Sequence, residues 1–146
     1  MITLSSITLF CCCSATAAEI VASGTCGAEG DNLTWKLDDA GMLTIDGAGE
    51  MKAFSSFNNH YAPWYSHRTI IKTVILEEGL NNISNYAFIE CINLKSVIMP
   101  KSLTSIDNWA FYNCSSLTDF SIPNSVIYIG SDAFCKCTSL TRVCSH

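Results

Sequence analysis

From Leu80 onward the chain repeats itself with a period of 23 residues. Each period carries an Ala-Phe pair, then a cysteine three residues after the Phe, and a leucine three residues after the cysteine. The pairs are Ala87-Phe88, Ala110-Phe111 and Ala133-Phe134, the cysteines are Cys91, Cys114 and Cys137, and the leucines are Leu94, Leu117 and Leu140. A fixed period of this length, with apolar residues at the same phase each time, predicts stacked coils that share one continuous core.

Alternating apolar residues mark one strand in each period. The three predicted strands are 74–76, 97–99 and 120–122. They are expected to pair as a parallel sheet. Pro100 and Pro123 follow two of them, where a residue without an N–H removes no ladder hydrogen bond. A second extended segment then leads into residues 108–113 or 131–136, which are predicted to form one helical turn that carries the Ala-Phe pair inward.

Residues 19–68 do not repeat and are predicted to form a β-hairpin module. Apolar and polar residues alternate at 33–37 and again at 43–45, on either side of a turn that ends at Gly41. Glycine supplies the positive φ that such a turn needs. A solenoid requires a terminal unit with a polar outer face, because its first coil would otherwise expose the core. We therefore predict that this module caps the repeats.

The first 18 residues are uncharged and apolar, and they end in the small-residue run 14–18. This segment resembles a secretory signal peptide with its cleavage site, although no Lys or Arg lies near Met1. The alternative is an ordinary buried N-terminal segment. A signal peptide implies export, and export permits disulfide formation.

Six cysteines remain once the signal segment is set aside: Cys26, Cys91, Cys114, Cys135, Cys137 and Cys144. The three in register cannot all pair with one another, and their phase points them inward, where a free cysteine behaves as a small apolar residue. We predict a ladder of buried thiols and leave the disulfide state of the other three cysteines open. A metal site is disfavoured because Cys135-x-Cys137 lacks the two-residue gap of zinc knuckles and no histidine recurs with the period.

Composition and motifs exclude several classes of function. The net charge of −5 leaves no basic stripe for a nucleic acid or an anionic membrane. We expect no membrane insertion of the mature chain. The sequence has no Gly-rich phosphate loop, no His-Glu-x-x-His and no Gly-x-Ser-x-Gly, so we predict neither catalysis nor a cofactor. A thiol-dependent hydrolase that pairs Cys26 or Cys91 with His60 or His67 is the remaining catalytic alternative.

Residues 87–106 read A-F-x-x-C-x-x-L-x-x-V-x-M-P-x-S-L-x-x-I, and 110–129 follow the same pattern with Phe120, Ile122 and Val126 at the Val, Met and second Leu positions. This pattern resembles the BspA-type leucine-rich repeat of secreted and cell-surface proteins. Residues 24–45 and 62–65 also resemble the leader module that precedes such repeats in proteins of anaerobic bacteria. The resemblance implies a leucine-rich-repeat-like solenoid of the α/β horseshoe type, with a parallel β-sheet and short helical turns, capped by the hairpin module.

The resemblance also implies a non-catalytic, secreted or cell-surface protein that mediates recognition or adhesion. Its partner would be a protein or glycan on a host or microbial surface. The alternative is a purely structural spacer within a larger surface protein. We divide the chain into a signal peptide at 1–18, the capping module at 19–68 and repeats at 69–146. The last repeat stops midway at His146, which favours a truncated sequence.

Two surfaces are candidates for ligand binding. Outward positions of the strands form two adjacent rows, and in leucine-rich repeats such a face is a common binding surface. The residues are Thr73, Ser96 and Asp119 in one row and Ile75, Ile98 and Ser121 in the other. Their alternative role is that of ordinary solvated sheet residues. The second candidate is an aromatic patch of Tyr61, Trp64 and Tyr65, which would stack on a sugar if exposed and would otherwise pack the cap onto the first coil.

Overall fold

The computed structural model describes residues 16–141 and 144–145. The predicted signal peptide therefore lies largely outside the described residues, as do Arg142 and Val143. The strands of the described part are β1 (Ile20–Gly27), β2 (Gly30–Asp38), β3 (Met42–Gly47), β4 (Thr73–Leu76), β5 (Asn82–Ile83), β6 (Ser96–Ile98), β7 (Ser105–Ile106), β8 (Asp119–Ile122), β9 (Tyr128–Ile129) and β10 (Cys144–Ser145). They form a seven-stranded sheet in the order β1-β2-β3-β4-β6-β8-β10 and a three-stranded sheet in the order β5-β7-β9.

Each coil contributes one strand to each sheet, and equivalent strands pair in parallel. Residues one period apart are register partners, as Thr73 is with Ser96 and Ser96 is with Asp119. Residues at the same phase of the 23-residue repeat therefore lie next to one another in successive coils. The phenylalanine rings form its central column, with 5.1 Å between the centroids of Phe88 and Phe111 and 5.5 Å between those of Phe111 and Phe134. The predicted solenoid with one shared core is confirmed.

The predicted helical turns at 108–113 and 131–136 are wrong, because both segments are runs of non-helical turns. Trp109 and Asn113 have φ values of 54° and 60°, which a right-handed helix excludes. Alternate N–H groups donate to the next coil instead, as Phe88 does to the carbonyl of Ala110 at 2.7 Å. These bonds between coils replace part of the hydrogen bonds that a helical turn would make within itself. The N–H groups between them bond three residues back, as Tyr112 does to the Trp109 carbonyl at 3.2 Å.

The helices of the described residues are two short 3₁₀ segments, Phe57–Asn59 and Tyr65–His67. Across 16–141 and 144–145, no helix has both the length and the hydropathy needed to cross a bilayer.

The N-terminal hairpin is confirmed as β2 and β3, which pair antiparallel from Leu33 with Gly47 to Leu37 with Leu43. Its turn is closed by a hydrogen bond from the Gly41 N–H to the Asp38 carbonyl at 3.1 Å, and Gly41 has a φ of 85°. Two features were not predicted. An additional strand, β1, pairs with β2, and β3 pairs in parallel with β4. The cap is therefore continuous with the solenoid sheet.

Candidate functional site: the exposed strand face and its flanking groove

The outward side chains of four neighbouring strands form one face of the large sheet. Inner positions alternate with them and are buried in the core, at Leu43, Val74, Val97 and Phe120. Register pairing places Met42, Thr73, Ser96 and Asp119 in one row, and Thr44, Ile75 and Ile98 in the next, which Ser121 continues on β8. The six residues predicted from the sequence thus share a face. Sequence reasoning missed Met42 and Thr44, because β3 lies outside the 23-residue register.

This face combines a protruding apolar side chain with small polar groups. Ile98 is 57% exposed and stands in the middle of the face. The Ser96 hydroxyl donates to the Thr73 hydroxyl at 3.4 Å, while Asp119 and Ser121 are exposed. The surface therefore offers apolar contact area, hydrogen-bonding hydroxyls and one negative charge.

A groove of about 610 Å³ borders the face at the ends of β6 and β8. Ile98 and Ser121 from the predicted set lie on its wall. The complete lining is Val97, Ile98, Met99, Lys101, Ser121, Ile122, Pro123, Asn124 and Ser125. A mostly apolar lining with a few polar groups, at this size, is typical of ligand-binding clefts.

One hydroxyl in the groove lacks the partners that its repeat equivalent has. Ser102 donates to the Leu80 carbonyl at 2.8 Å and accepts from the Gly79 N–H at 2.9 Å. One period later, the buried hydroxyl of Ser125 has no hydrogen-bond partner among the described residues. Buried polar groups are nearly always paired, so the unpaired Ser125 hydroxyl marks a break in the repeat beneath the groove wall. No signal in the sequence distinguishes Ser125 from Ser102.

The structure separates the three residues of the predicted aromatic patch. Trp64 is fully buried, stacks on Phe88 at 5.6 Å and donates its indole N–H to the Ala87 carbonyl at 2.7 Å. It is therefore a core residue that packs the cap onto the first coil, and it is not a surface platform. Tyr61 and Tyr65 are only partly buried, and their rings stack at 3.9 Å.

Charged groups fix the outer tyrosine of this stack. The Arg68 guanidinium lies 4.2 Å from the Tyr65 ring centroid and forms an ion pair with Glu90 at 3.4 Å. The Tyr65 hydroxyl donates to the same Glu90 carboxylate at 3.1 Å. Burial raises the pKa of Tyr65, and the hydrogen bond to Glu90 raises it further. These contacts hold Tyr65 in place beside Tyr61.

The predicted ladder of buried thiols is confirmed. Cys91, Cys114 and Cys137 are buried and free. The Cys114 thiol donates to the Phe88 carbonyl, and the Cys137 thiol donates to the Phe111 carbonyl, each at 3.1 Å. The ladder is thus explained by packing and by hydrogen bonds between coils. Of the two other cysteines whose side chains are described, Cys26 is buried and Cys135 is exposed, and both are free.

The chemistry of the thiols disfavours a hydrolase. Cys26 and His60 do line one small cavity. However, burial raises the pKa of Cys26 to about 12 and that of Cys91 to about 12. Since the thiolate is the nucleophile, both groups are almost entirely in the unreactive form at neutral pH. In the part of the chain that the structure describes, no cluster of three His, Cys, Asp or Glu residues is suited to hold a metal ion.

Comparison with known proteins identifies the repeat. A leucine-rich repeat protein from Eubacterium ventriosum has 25% sequence identity and a TM-score of 0.60 to this chain. The match covers 79% of this chain and 36% of the length of that protein. Another from Bacteroides capillosus has 19% identity and a TM-score of 0.49, over 79% of this chain and 94% of that one. No curated protein matches the chain. The family profile described as "BspA type Leucine rich repeat region (6 copies)" matches residues 63–145, more than half of the chain. The chain therefore belongs to the BspA-type leucine-rich repeat family.

Proposed function

We propose that the chain is a secreted or cell-surface recognition protein that acts in adhesion, without catalysis, by binding a protein partner. The observation that carries this proposal is the meeting of the exposed strand face with the apolar groove at Ile98 and Ser121. A single exposed isoleucine is ordinary on a protein surface. An exposed isoleucine beside an apolar groove that also has polar residues in its lining is the arrangement of a binding site.

The charges around the groove give a partner one orientation. Lys101 lies on the groove wall and Asp119 lies on the strand face, so positive and negative charge flank the apolar centre. Charges at the rim of an interface contribute mainly to orientation and association rate, whereas the apolar centre supplies most of the affinity. A protein loop with an apolar side chain and a nearby hydrogen-bonding group fits this pattern. Secretion is supported by the signal-like segment at the N-terminus and by the family.

The experiment replaces Ser96, Ile98 and Asp119 together by Ala, Asp and Ala. Wild-type and variant chains are assayed by surface plasmon resonance against extracellular matrix proteins and a glycan array. We expect saturable binding of wild type to a protein and its loss in the triple variant. The matched control is Ile127→Asp, which places the same charge at an isoleucine that is 87% exposed and lies outside the face. Unchanged binding by the triple variant would exclude the strand face.

The alternative of a structural spacer is favoured by one observation. The cap and the repeats share a continuous seven-stranded sheet, so backbone hydrogen bonds join them without a flexible linker. A spacer predicts no saturable binding by the wild-type chain in either screen. Binding to glycans alone, with loss of that binding in the triple variant, would mean that the strand face recognises a carbohydrate and not a protein.

A further inference from the structure

A second cavity, of about 210 Å³, lies in the N-terminal cap. Two backbone hydrogen bonds build it. The Lys52 N–H donates to the Cys26 carbonyl at 2.8 Å, which ties the chain after the hairpin to the end of β1. The Ser55 N–H donates to the His60 carbonyl at 2.8 Å, which closes the following loop. The cavity between them is lined by Thr25, Cys26, Lys52, Ala53, Phe54, His60, Tyr61 and Pro63.

The lining has the opposite electrostatic character to the whole chain. The protein carries 13 acidic residues and a net charge of −5, yet no carboxylate lines this cavity. Lys52 is exposed, and among the residues described no carboxylate oxygen lies within 4.0 Å of its ammonium nitrogen. His60 and Thr25, two residues with hydrogen-bonding side chains, belong to the same lining. The cavity is therefore suited to a ligand that is anionic and also accepts or donates hydrogen bonds.

The remaining wall is aromatic and apolar. Tyr61 packs one ring face on Tyr65 at 3.9 Å, and this partly exposed residue lines the cavity with Phe54 and Pro63. An aromatic face of this kind packs against the apolar face of a ring-shaped ligand. The volume equals that of about seven liquid water molecules, which is enough for one sugar ring and too small for a folded peptide segment.

We propose that this cavity binds an acidic sugar residue, a hexuronate within a glycan, with its carboxylate at Lys52 and its ring face on Tyr61. Thr25 and His60 bond the hydroxyl groups of the sugar. A neutral sugar lacks the charge contact, and a simple carboxylate lacks the ring contact. The inference extends the proposed recognition function to a second ligand, and it depends on residues other than those of the strand face.

The test is a saturation-transfer NMR titration of the full chain with glucuronate, glucose and acetate at constant ionic strength. Saturable binding is expected for glucuronate, with glucose and acetate each at least about fivefold weaker. Lys52→Met should weaken glucuronate binding about fivefold, whereas Lys36→Met, at an exposed lysine on β2, should not change it. Tyr61→Leu should weaken binding to the sugar, and Tyr61→Phe, which keeps the ring, should retain it.

Three outcomes would overturn the proposal. They are the absence of saturable glucuronate binding, equal affinity for acetate and glucuronate, and wild-type affinity in Lys52→Met. The triple variant of the strand face separates this inference from the proposed function. Glucuronate binding should survive in that variant, and failure of glucuronate binding alongside normal protein binding would refute the sugar site alone.

Discussion

Truncation of Phe111 to Ala tests whether the aromatic column stabilises the solenoid. Phe111 is fully buried in the middle of the column, where its ring stacks on both Phe88 and Phe134. It also meets the edge of Phe120, with 5.5 Å between the ring centroids. The side chain thus contacts three aromatic rings from the coils on its two sides, and its removal leaves a cavity at their junction.

The expected loss in the free energy of unfolding follows from these contacts. Burial of one Phe side chain contributes about 1.5–3 kcal/mol, and each aromatic pair adds about 0.5–1.5 kcal/mol. Measured Phe→Ala changes in protein cores fall at about 3–5 kcal/mol, which includes the effect of the cavity. We therefore expect Phe111→Ala to lower the free energy of unfolding by about 4 kcal/mol. Phe134→Ala should cost about half as much, because Phe134 is only partly buried.

The assay is equilibrium urea denaturation followed by tryptophan fluorescence. At a slope of about 2 kcal/mol per molar urea, the midpoint for Phe111→Ala should fall by about 2 M. Phe111→Leu keeps most of the volume and should cost about 1–2 kcal/mol, so it provides a measurement if the Ala variant does not fold. Equal costs for Phe111→Ala and Phe134→Ala, or a cost below about 1 kcal/mol at Phe111, would refute the argument that the column is cooperative across coils.

Three further predictions use the same denaturation assay. Gly41→Ala should lower the free energy of unfolding by at least about 2 kcal/mol, because φ is positive there and the added Cβ would lie 2.3 Å from the Ile70 carbonyl oxygen. The control is Gly30→Ala, where φ is also positive but no atom lies within 4 Å of the added Cβ, and it should lower that free energy by about 1 kcal/mol. Trp64→Phe should cost about 1–3 kcal/mol, since the indole hydrogen bond to backbone is lost and a buried carbonyl is left unpaired. Burial raises the pKa of Cys91 from 9.0 to about 12, so the thiol stays protonated in the folded state at a pH where it ionises in the unfolded chain. The free energy of unfolding should therefore fall by about 1.4 kcal/mol per pH unit between pH 9 and 12 on account of this thiol. Cys91→Ala should remove that pH-dependent contribution.

The repeat half of the fold was predictable because its period places like residues on like residues. The spacing of Phe88 and Phe111 specifies a column as soon as the coils stack. The conformation between strands was not predictable in the same way. Its positive φ values fall on Tyr86 and Trp109, residue types that rarely adopt them, and the hydrogen bonds that stabilise them come from the neighbouring coil. Such bonds cannot be predicted from the residues next to Tyr86 or Trp109 in the sequence.

Of the three candidate sites, the sequence predicted the strand face and missed the groove and the cap cavity. The strand face followed from alternation in three phased strands, and all six predicted residues lie on that face. The groove was missed because Ser125 and Ser102 are the same residue at the same phase of the repeat. They differ only in the structure, where the Ser102 hydroxyl is hydrogen-bonded and the Ser125 hydroxyl is not. The cap cavity was missed because it depends on closure between Cys26 and Lys52, which no periodicity links.

The continuity of the cap with the repeats bears on how a partner is recognised. Because β3 pairs in parallel with β4, Met42 and Thr44 extend the two outward rows beyond the repeats. Met42 is 38% exposed, and its flexible apolar side chain therefore adds a second contact on the same face as Ile98. A repeat array alone offers similar surfaces at every coil, so a partner would have no unique position along it. We expect the cap to remove that ambiguity, because it places a different side chain, Met42, at one end of the face. If Met42→Ser and Ile98→Asp each weaken binding, the partner is held at a single position along the repeats.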